Sequence, residues 1–261
     1  KDYHPISLVG CIYKLVSKVL ARRLRDVIGS LISENQHAFV GGRQILDAVL
    51  IANELIDSRT KSGKPGIICK LDIEKAYDRV NWSFLIYVMR RMGFGGNWIT
   101  WIGHCISSVS YAVLLNGSPS QFFPASRGLR QGDPISPLLF LLVMEVFTRM
   151  LRAASTAGLM AGFSVGRLNG SSSIISHLLF ADDTIIFCDN VCEQIVNLRG
   201  ILIWFEAVSG LRVNLSKSSI LPVGQVDNLQ MLAGVLGCSI DSLPSSYLGL
   251  PLGAKFKDKS I

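Results

Sequence analysis

The chain has 261 residues, 49% hydrophobic and 17% charged, enough apolar material for one large domain or two small ones and too much for a disordered chain. Its 24 Gly and 9 Pro follow no period, which excludes a collagen-like or low-complexity polymer. The net charge of +7 suits a polyanionic partner through counterion release, and the low charged fraction, with Lys1 rather than Met in first place, points to a piece of a larger protein.

Ile12, Leu15, Val16, Val19, Leu20, Leu24, Val27, Ile28 and Leu31 recur at steps of three and four and predict a first helix. Lys14, Lys18, Arg22 and Arg25 lie mostly off that stripe, as a solvated or a phosphate-facing row. A second helix is predicted from Gln44 to Ser58, then a turn at 61–66, then a buried strand, Ile67-Ile-Cys-Lys-Leu-Asp72. Two more helices, Trp82–Met92 and Asn97–Ser107, are separated by Gly93-Phe-Gly-Gly96. Asn116-Gly-Ser-Pro119 between Tyr111–Leu115 and Gln121–Phe123 predicts a hairpin.

A loop, Ser126–Pro134, leads into a helix from Ile135 to Ala153. The runs Ile174–Phe180 and Thr184–Cys188, joined by Ala181-Asp-Asp183, predict a second hairpin with acid at its tip. A helix over Glu193–Ser209, a strand near Ser219–Leu221 and a helix over Asp227–Gly237 follow. Helices and mainly antiparallel strands are mixed, so the fold class is α+β. The longest apolar run, Leu138–Met144, is too short to span a bilayer. Six scattered cysteines form no C-x-x-C or zinc-ligand pattern, and nothing resembles a signal peptide, so an intracellular, reducing compartment is expected; the sequence does not say which.

Asp182 and Asp183 are either turn formers or an acidic pair at a buried hairpin, whose charges repel until a cation neutralises them. Asp72 ends another apolar strand. If the two strands pair, three carboxylates converge at one sheet edge, a donor set suited to Mg²⁺ or Mn²⁺.

These residues carry a resemblance. Leu71-Asp-Ile-Glu-Lys-Ala-Tyr-Asp-Arg79, Arg127-Gly-Leu-Arg-Gln-Gly-Asp-Pro-Ile-Ser-Pro-Leu138 and Phe180-Ala-Asp-Asp183 are similar, in order and spacing, to three motifs of reverse transcriptases. Pro5-Ile-Ser-Leu8, Gln36–Arg43, Gly210–Ser218 and Tyr247-Leu-Gly-Leu-Pro-Leu252 resemble stretches of LINE-type, non-LTR retrotransposon enzymes, with a plant-like wording. The resemblance spans essentially the whole chain. It implies a right-hand polymerase fold, with fingers over 1–66 and part of 90–125. The palm would cover most of 67–261, with the thumb incomplete or absent.

The resemblance also implies an RNA-directed DNA polymerase working with two Mg²⁺ or Mn²⁺ ions on dNTP, RNA template and DNA primer. Asp72, Asp182 and Asp183 would be catalytic metal ligands. Tyr77 would be the steric gate against a 2′-hydroxyl, and Gln131, Gly132 and Arg43 would serve the nucleotide. Lys217 would be a general acid near the departing pyrophosphate, and Arg127, Arg130 and Tyr247 would touch nucleic acid. An upstream endonuclease and a complete thumb would be missing from this stretch, and no membrane is expected. His4 stands where the family usually has Arg, and Gly41 where many relatives have Pro. An inactive nucleic-acid-binding remnant and a group II intron-type maturase are the alternatives. Tyr77 argues against an RNA-synthesising polymerase.

Overall fold

An apolar run can lie in the middle of a sheet only when both its faces are covered, and Ile67, Ile68 and Cys69 are wholly buried. The computed structural model, which describes residues 10–168 and 171–254, places them in a central strand. The chain begins with α1 (Cys11–Leu31), α2 (Ile45–Lys61) and β1 (Gly66–Leu71), followed by the short α3 (Ala76–Arg79), α4 (Trp82–Arg91) and α5 (Gly96–Ser107). Four two-residue strands come next, β2 (Ser110–Tyr111), β3 (Leu114–Leu115), β4 (Ser118–Pro119) and β5 (Phe123–Pro124), and then α6 (Ser136–Thr156). The second half comprises β6 (Phe163–Leu168), β7 (Ser171–Ile175), β8 (His177–Phe180), β9 (Asp183–Asp189) and α7 (Cys192–Ser209). It ends with β10 (Ser219–Val223), α8 (Leu229–Leu236), β11 (Ser239–Ile240), β12 (Ser245–Tyr247) and β13 (Leu250–Leu252).

Five strands form the main sheet in the order β11-β10-β1-β9-β8. All pairs are antiparallel except β10 with β11. Side chains alternate between faces along each strand, so the sheet feeds two cores. Ile67, Cys69, Ile186, Cys188 and Ile220 join the larger one with α1, α4, α6 and α7. Ile68, Ile185, Phe187, Leu221 and Val223 join the smaller one with Leu55 of α2, Phe163 and Tyr247. The helix α6 is apolar almost all round, and Leu138 to Met144 are all buried, as expected of a central helix. Its one buried acid, Glu145, accepts from the amide and hydroxyl of Ser33 at 2.9 and 2.7 Å and pairs with Arg149 at 3.0 Å.

The predicted elements are present, with three differences. Ile174–Phe180 is not one strand: Ser176 breaks it, and β7 turns back to pair with β6. The hairpin around Asn116-Gly117 is present only as two-residue pairings, and its strands are exposed. Third, α2 runs on to Lys61, past the expected end at Ser58, and packs on the sheet through Ala48, Ala52 and Leu55. The motif Pro5–Leu8 and His4 lie outside the described residues.

Candidate active site

Asp72 follows β1, where the chain leaves the sheet. Its amide donates to Ser218 Oγ at 3.1 Å and its carbonyl accepts from Asn214 N at 2.8 Å. Ile73 bridges Val213, and Glu74 N donates to Arg212 O at 2.8 Å. The segment 212–218 is thus sewn along 72–74, which brings Lys217 to the cleft that Asp72 lines. Lys75 takes a left-handed conformation, φ 46°, and turns the chain into α3. The Tyr77 ring then lies stacked on Phe140, 5.1 Å between centroids and 19° between planes. Partial burial, and then the nearby Asp182 carboxylate, push its phenol up to about 12.

The loop that follows β5 is zipped to the same helix. Gly128 N donates to Val80 O at 2.8 Å, Leu129 N to Tyr77 O at 2.6 Å, and Trp82 Nε1 to Gly128 O at 2.6 Å. This brings Arg130, Gln131 and Gly132 to the cleft that Lys217 also lines. Arg130 is half-buried: its guanidinium covers the Tyr13 ring at 4.0 Å and donates to Cys105 O at 2.8 Å. Asp133, buried behind it, accepts from Tyr13 Oη at 2.6 Å and from Ser17 Oγ.

The β8–β9 hairpin pairs Phe180 with Asp183, so its turn is Ala181-Asp182. Leu71 stands opposite Thr184, so this turn and the end of β1 meet at one edge of the sheet. Asp72 and Asp182 both line a cleft of about 810 Å³, with Tyr77, Gln131, Gly132 and Lys217. Asp182 is raised above the usual carboxylate range by desolvation, and Asp72 adds to the shift. Asp183 is raised too, first by desolvation, then by Asp182 and Asp72, and Lys70 offsets part of this.

The geometry does not place every expected residue in the cleft. Asp183 begins β9 and is not among the cleft residues. Lys70 acts on its charge, and its charge acts on Tyr247 of the smaller core. Among the described residues no three His, Cys, Asp or Glu side chains form a metal-binding group. Arg43 is also away from the cleft, because its guanidinium donates to the carbonyls of Ser33 at 2.6 Å, Gln36 at 2.5 Å and Ile32 at 3.2 Å. Tyr247 is 1% exposed. Its ring packs in the smaller core against the sheet, which corrects the expectation of a nucleic-acid contact. Arg127 is exposed on the flank of the loop, outside the cleft lining.

Four polar residues the sequence did not single out line the cleft as well: Glu74, Lys75, Asp78 and Asn214. Glu74, Lys75 and Asp78 lie inside the motif Leu71–Arg79 and Asn214 inside Gly210–Ser218, and that was their only sequence signal.

The family model for reverse transcriptase (RNA-dependent DNA polymerase) matches residues 1–252. The chain belongs to the reverse transcriptase family. Its relatives include transposon and retrotransposable-element proteins. It is 29% identical over 98% of its length to the transposon TX1 uncharacterized 149 kDa protein of Xenopus laevis, of which it covers 19%. It is 26% identical over 85% of its length to the Pol polyprotein of the type-1 retrotransposable element R2 of Popillia japonica, of which it covers 30%. The reverse transcriptase chain thus spans less than a third of either relative. The structure of telomerase from Candida tropicalis in complex with a fragment of telomeric RNA superposes with a TM-score of 0.59. That match has 14% identity and covers 95% of this chain and 37% of that one; it shows the fold. No helix among the described residues is long and apolar enough to cross a membrane.

Proposed function

We propose that this reverse transcriptase chain carries the nucleotidyl-transfer centre of a non-LTR retroelement enzyme. The reading rests on one observation: Asp72 and Asp182, carried by separate strands, line the same cleft as Tyr77, Gln131 and Lys217. The reaction is attack of a primer 3′-hydroxyl on the α-phosphate of a dNTP, with pyrophosphate leaving. In this reading the sheet with α6 and α7 serves as the palm. Residues 1–66 and part of 90–125 would supply the fingers.

The donor set suits a divalent cation. Asp72 and Asp182 offer only oxygen ligands, and their mutual repulsion in a partly desolvated cleft is relieved by positive charge. Asp72 and Asp182 would hold Mg²⁺ or Mn²⁺, with Asp183 close by on the same hairpin. Two such ions, when bound, lower the cost of charge build-up on the attacking oxygen and on the leaving pyrophosphate.

The chain's own residues do the positioning. Tyr77, stacked on Phe140, would exclude a 2′-hydroxyl. Gln131 and Gly132, which line the same cleft, would serve the nucleotide. Lys217 would give a proton to the departing pyrophosphate. RNA template and DNA primer would be gripped mainly through phosphates, in keeping with the net charge of +7, and Arg127, exposed beside the cleft, is suited to that contact.

The test is primer extension on a poly(A) template with oligo(dT), dTTP and Mg²⁺ or Mn²⁺. Extension lost in Asp72→Ala and Asp182→Ala, with template binding kept, is expected. Equal extension by wild type and Asp182→Ala would refute the assignment. Binding of primer–template by Asp72→Ala should fall steeply as salt rises.

A further inference from the structure

The turn that presents Asp182 is held from outside its own hairpin. Ala181 has φ +56°, a left-handed conformation unusual for a residue with a side chain. It is 6% exposed, and its amide is not part of the β8–β9 ladder. A buried amide there needs an acceptor. Gln36 supplies it: Oε1 accepts from Ala181 N at 2.9 Å and from Ala38 N at 3.0 Å. Its Nε2 reaches back to Ala181 O at 3.5 Å. Gln36 itself is 2% exposed, so water does not compete for these bonds.

The clamp is anchored on both sides. Gln36 bridges Leu179 of β8, with His37 N donating to Leu179 O at 2.9 Å and Leu179 N to Asn35 O at 2.8 Å. The loop before it is gathered by Arg43, which takes the carbonyls of Ile32, Ser33 and Gln36. Ser33 is in turn bonded to Glu145 of the central helix α6. A rigid path therefore runs from α6 through the 32–38 loop to the turn beside Asp182.

We propose that Gln36 is a positioning residue for the hairpin that carries Asp182. Its amide oxygen fixes the left-handed Ala181 and so sets where the Asp182 carboxylate enters the cleft. Arg43 acts one step further out, by fixing the loop that carries Gln36. The proposal rests on the nucleotidyl-transfer reading for its purpose, while its geometry can be tested without catalysis.

The experiment compares wild type with Gln36→Leu, Gln36→Asn and Gln36→Glu in the 261-residue chain. The leucine keeps bulk and removes the acceptor, the asparagine draws the acceptor back by one carbon, and the glutamate keeps it in place. Peptide-level hydrogen exchange reads the 178–186 segment against α7, and Mn²⁺ titration reads the carboxylate site without primer or dNTP. Expected for Gln36→Leu and Gln36→Asn is exchange in 178–186 at least tenfold faster, with α7 unchanged and Mn²⁺ bound at least threefold more weakly. Gln36→Glu should restore the protection of 178–186. Should the leucine variant not fold, the asparagine and glutamate pair decides by the same comparison.

Unchanged exchange at 178–186 would overturn the proposal. So would an equal rise at 178–186 and in α7, which would mark Gln36 as a general packing residue. Loss of primer extension in wild type would strike the functional reading alone and leave the exchange result standing.

Discussion

Gly128 offers a test of how the loop that carries Gln131 and Gly132 is held. It has φ +86°, and a Cβ built on it would lie 2.6 Å from Asp78 O and 2.9 Å from Asp78 C. Gly128→Ala therefore meets two separate costs. A left-handed conformation costs a residue with a Cβ about 1–2 kcal/mol. The overlap is with main chain, which cannot swing aside, so forced shifts of the overpacking kind add about 1–3 kcal/mol.

Two other glycines separate these terms. Gly42 has φ +81° with open space around it, and Gly41 has open space and no left-handed φ. Gly42→Ala should lose about 1–2 kcal/mol, while Gly41→Ala should be neutral or gain up to about 1 kcal/mol by restricting the unfolded chain. For a chain of this size 1 kcal/mol moves the melting temperature by about 2 °C. Gly128→Ala should thus melt about 4–10 °C below wild type and Gly42→Ala about 2–4 °C below. Thermal unfolding followed by circular dichroism reads all three. A Gly128→Ala protein melting within a degree of wild type, or as stable as Gly42→Ala, would mean that the loop does not sit against Asp78. Because Leu129 N donates to Tyr77 O at 2.6 Å, the same variant should weaken dNTP binding in any longer active form.

Tyr77→Ala should keep some dNTP incorporation and gain rNTP incorporation. Each ~1.4 kcal/mol of clash relieved is worth tenfold in rate, and single-nucleotide extension with matched dNTP and rNTP measures the ratio; an unmoved ratio would make Tyr77 only a partner for Phe140. Asp182→Asn removes a carboxylate that desolvation, with Asp72 adding, holds above its usual range. Its charge is a burden to the metal-free fold, so the variant should melt higher than wild type in chelator and gain less from Mg²⁺ or Mn²⁺; equal metal-induced shifts would remove Asp182 from the cation site. His177 is pushed down to about 3, first by burial and then by Arg152. The folded chain thus refuses a proton that the unfolded chain takes up below pH 6.5. Stability present above pH 6.5 should drain away toward pH 3, by up to about 1.4 kcal/mol per pH unit. Urea unfolding between pH 7 and pH 4 should show a shallower fall in His177→Leu, and identical slopes would count against the buried neutral ring.

Most strands and helices that were legible are those whose burial leaves a period in the sequence; α1 is the exception, since Ile12, Leu15, Val16, Val19 and Val27 of its apolar stripe are exposed. Ile67–Leu71 and Thr184–Cys188 lie inside the sheet with both faces covered, and α6 is buried without a break from Leu138 to Glu145. The pairing of β6 with β7 left no such mark, since Ser171-Ser172-Ser173 has no apolar alternation. The meeting of Asp72 with Asp182 was legible for a different reason. Charge at the end of a buried strand is costly, which made a shared site for such acids an expectation on the condition that their strands pair, and the β1–β9 register meets that condition for Asp72 and Asp182.

Side-chain direction was the part that could not be read. Arg43 and Tyr247 both sit in motifs that suggest outward contacts. Yet Arg43 spends its guanidinium on three carbonyls of its own loop, and Tyr247 is drawn under the sheet when β12 and β13 fold onto it. Gln36 shows the limit most directly. The duty argued for it, an acceptor for one amide 145 positions away, places no demand on its sequence neighbours and so leaves no period, no charge pattern and no spacing. A carboxylate that must hold a cation restricts the residue type, and a motif records that restriction. The amide that steadies the carboxylate is specified only by where the chain brings it, and becomes visible once β8, β9 and the 32–38 loop are side by side.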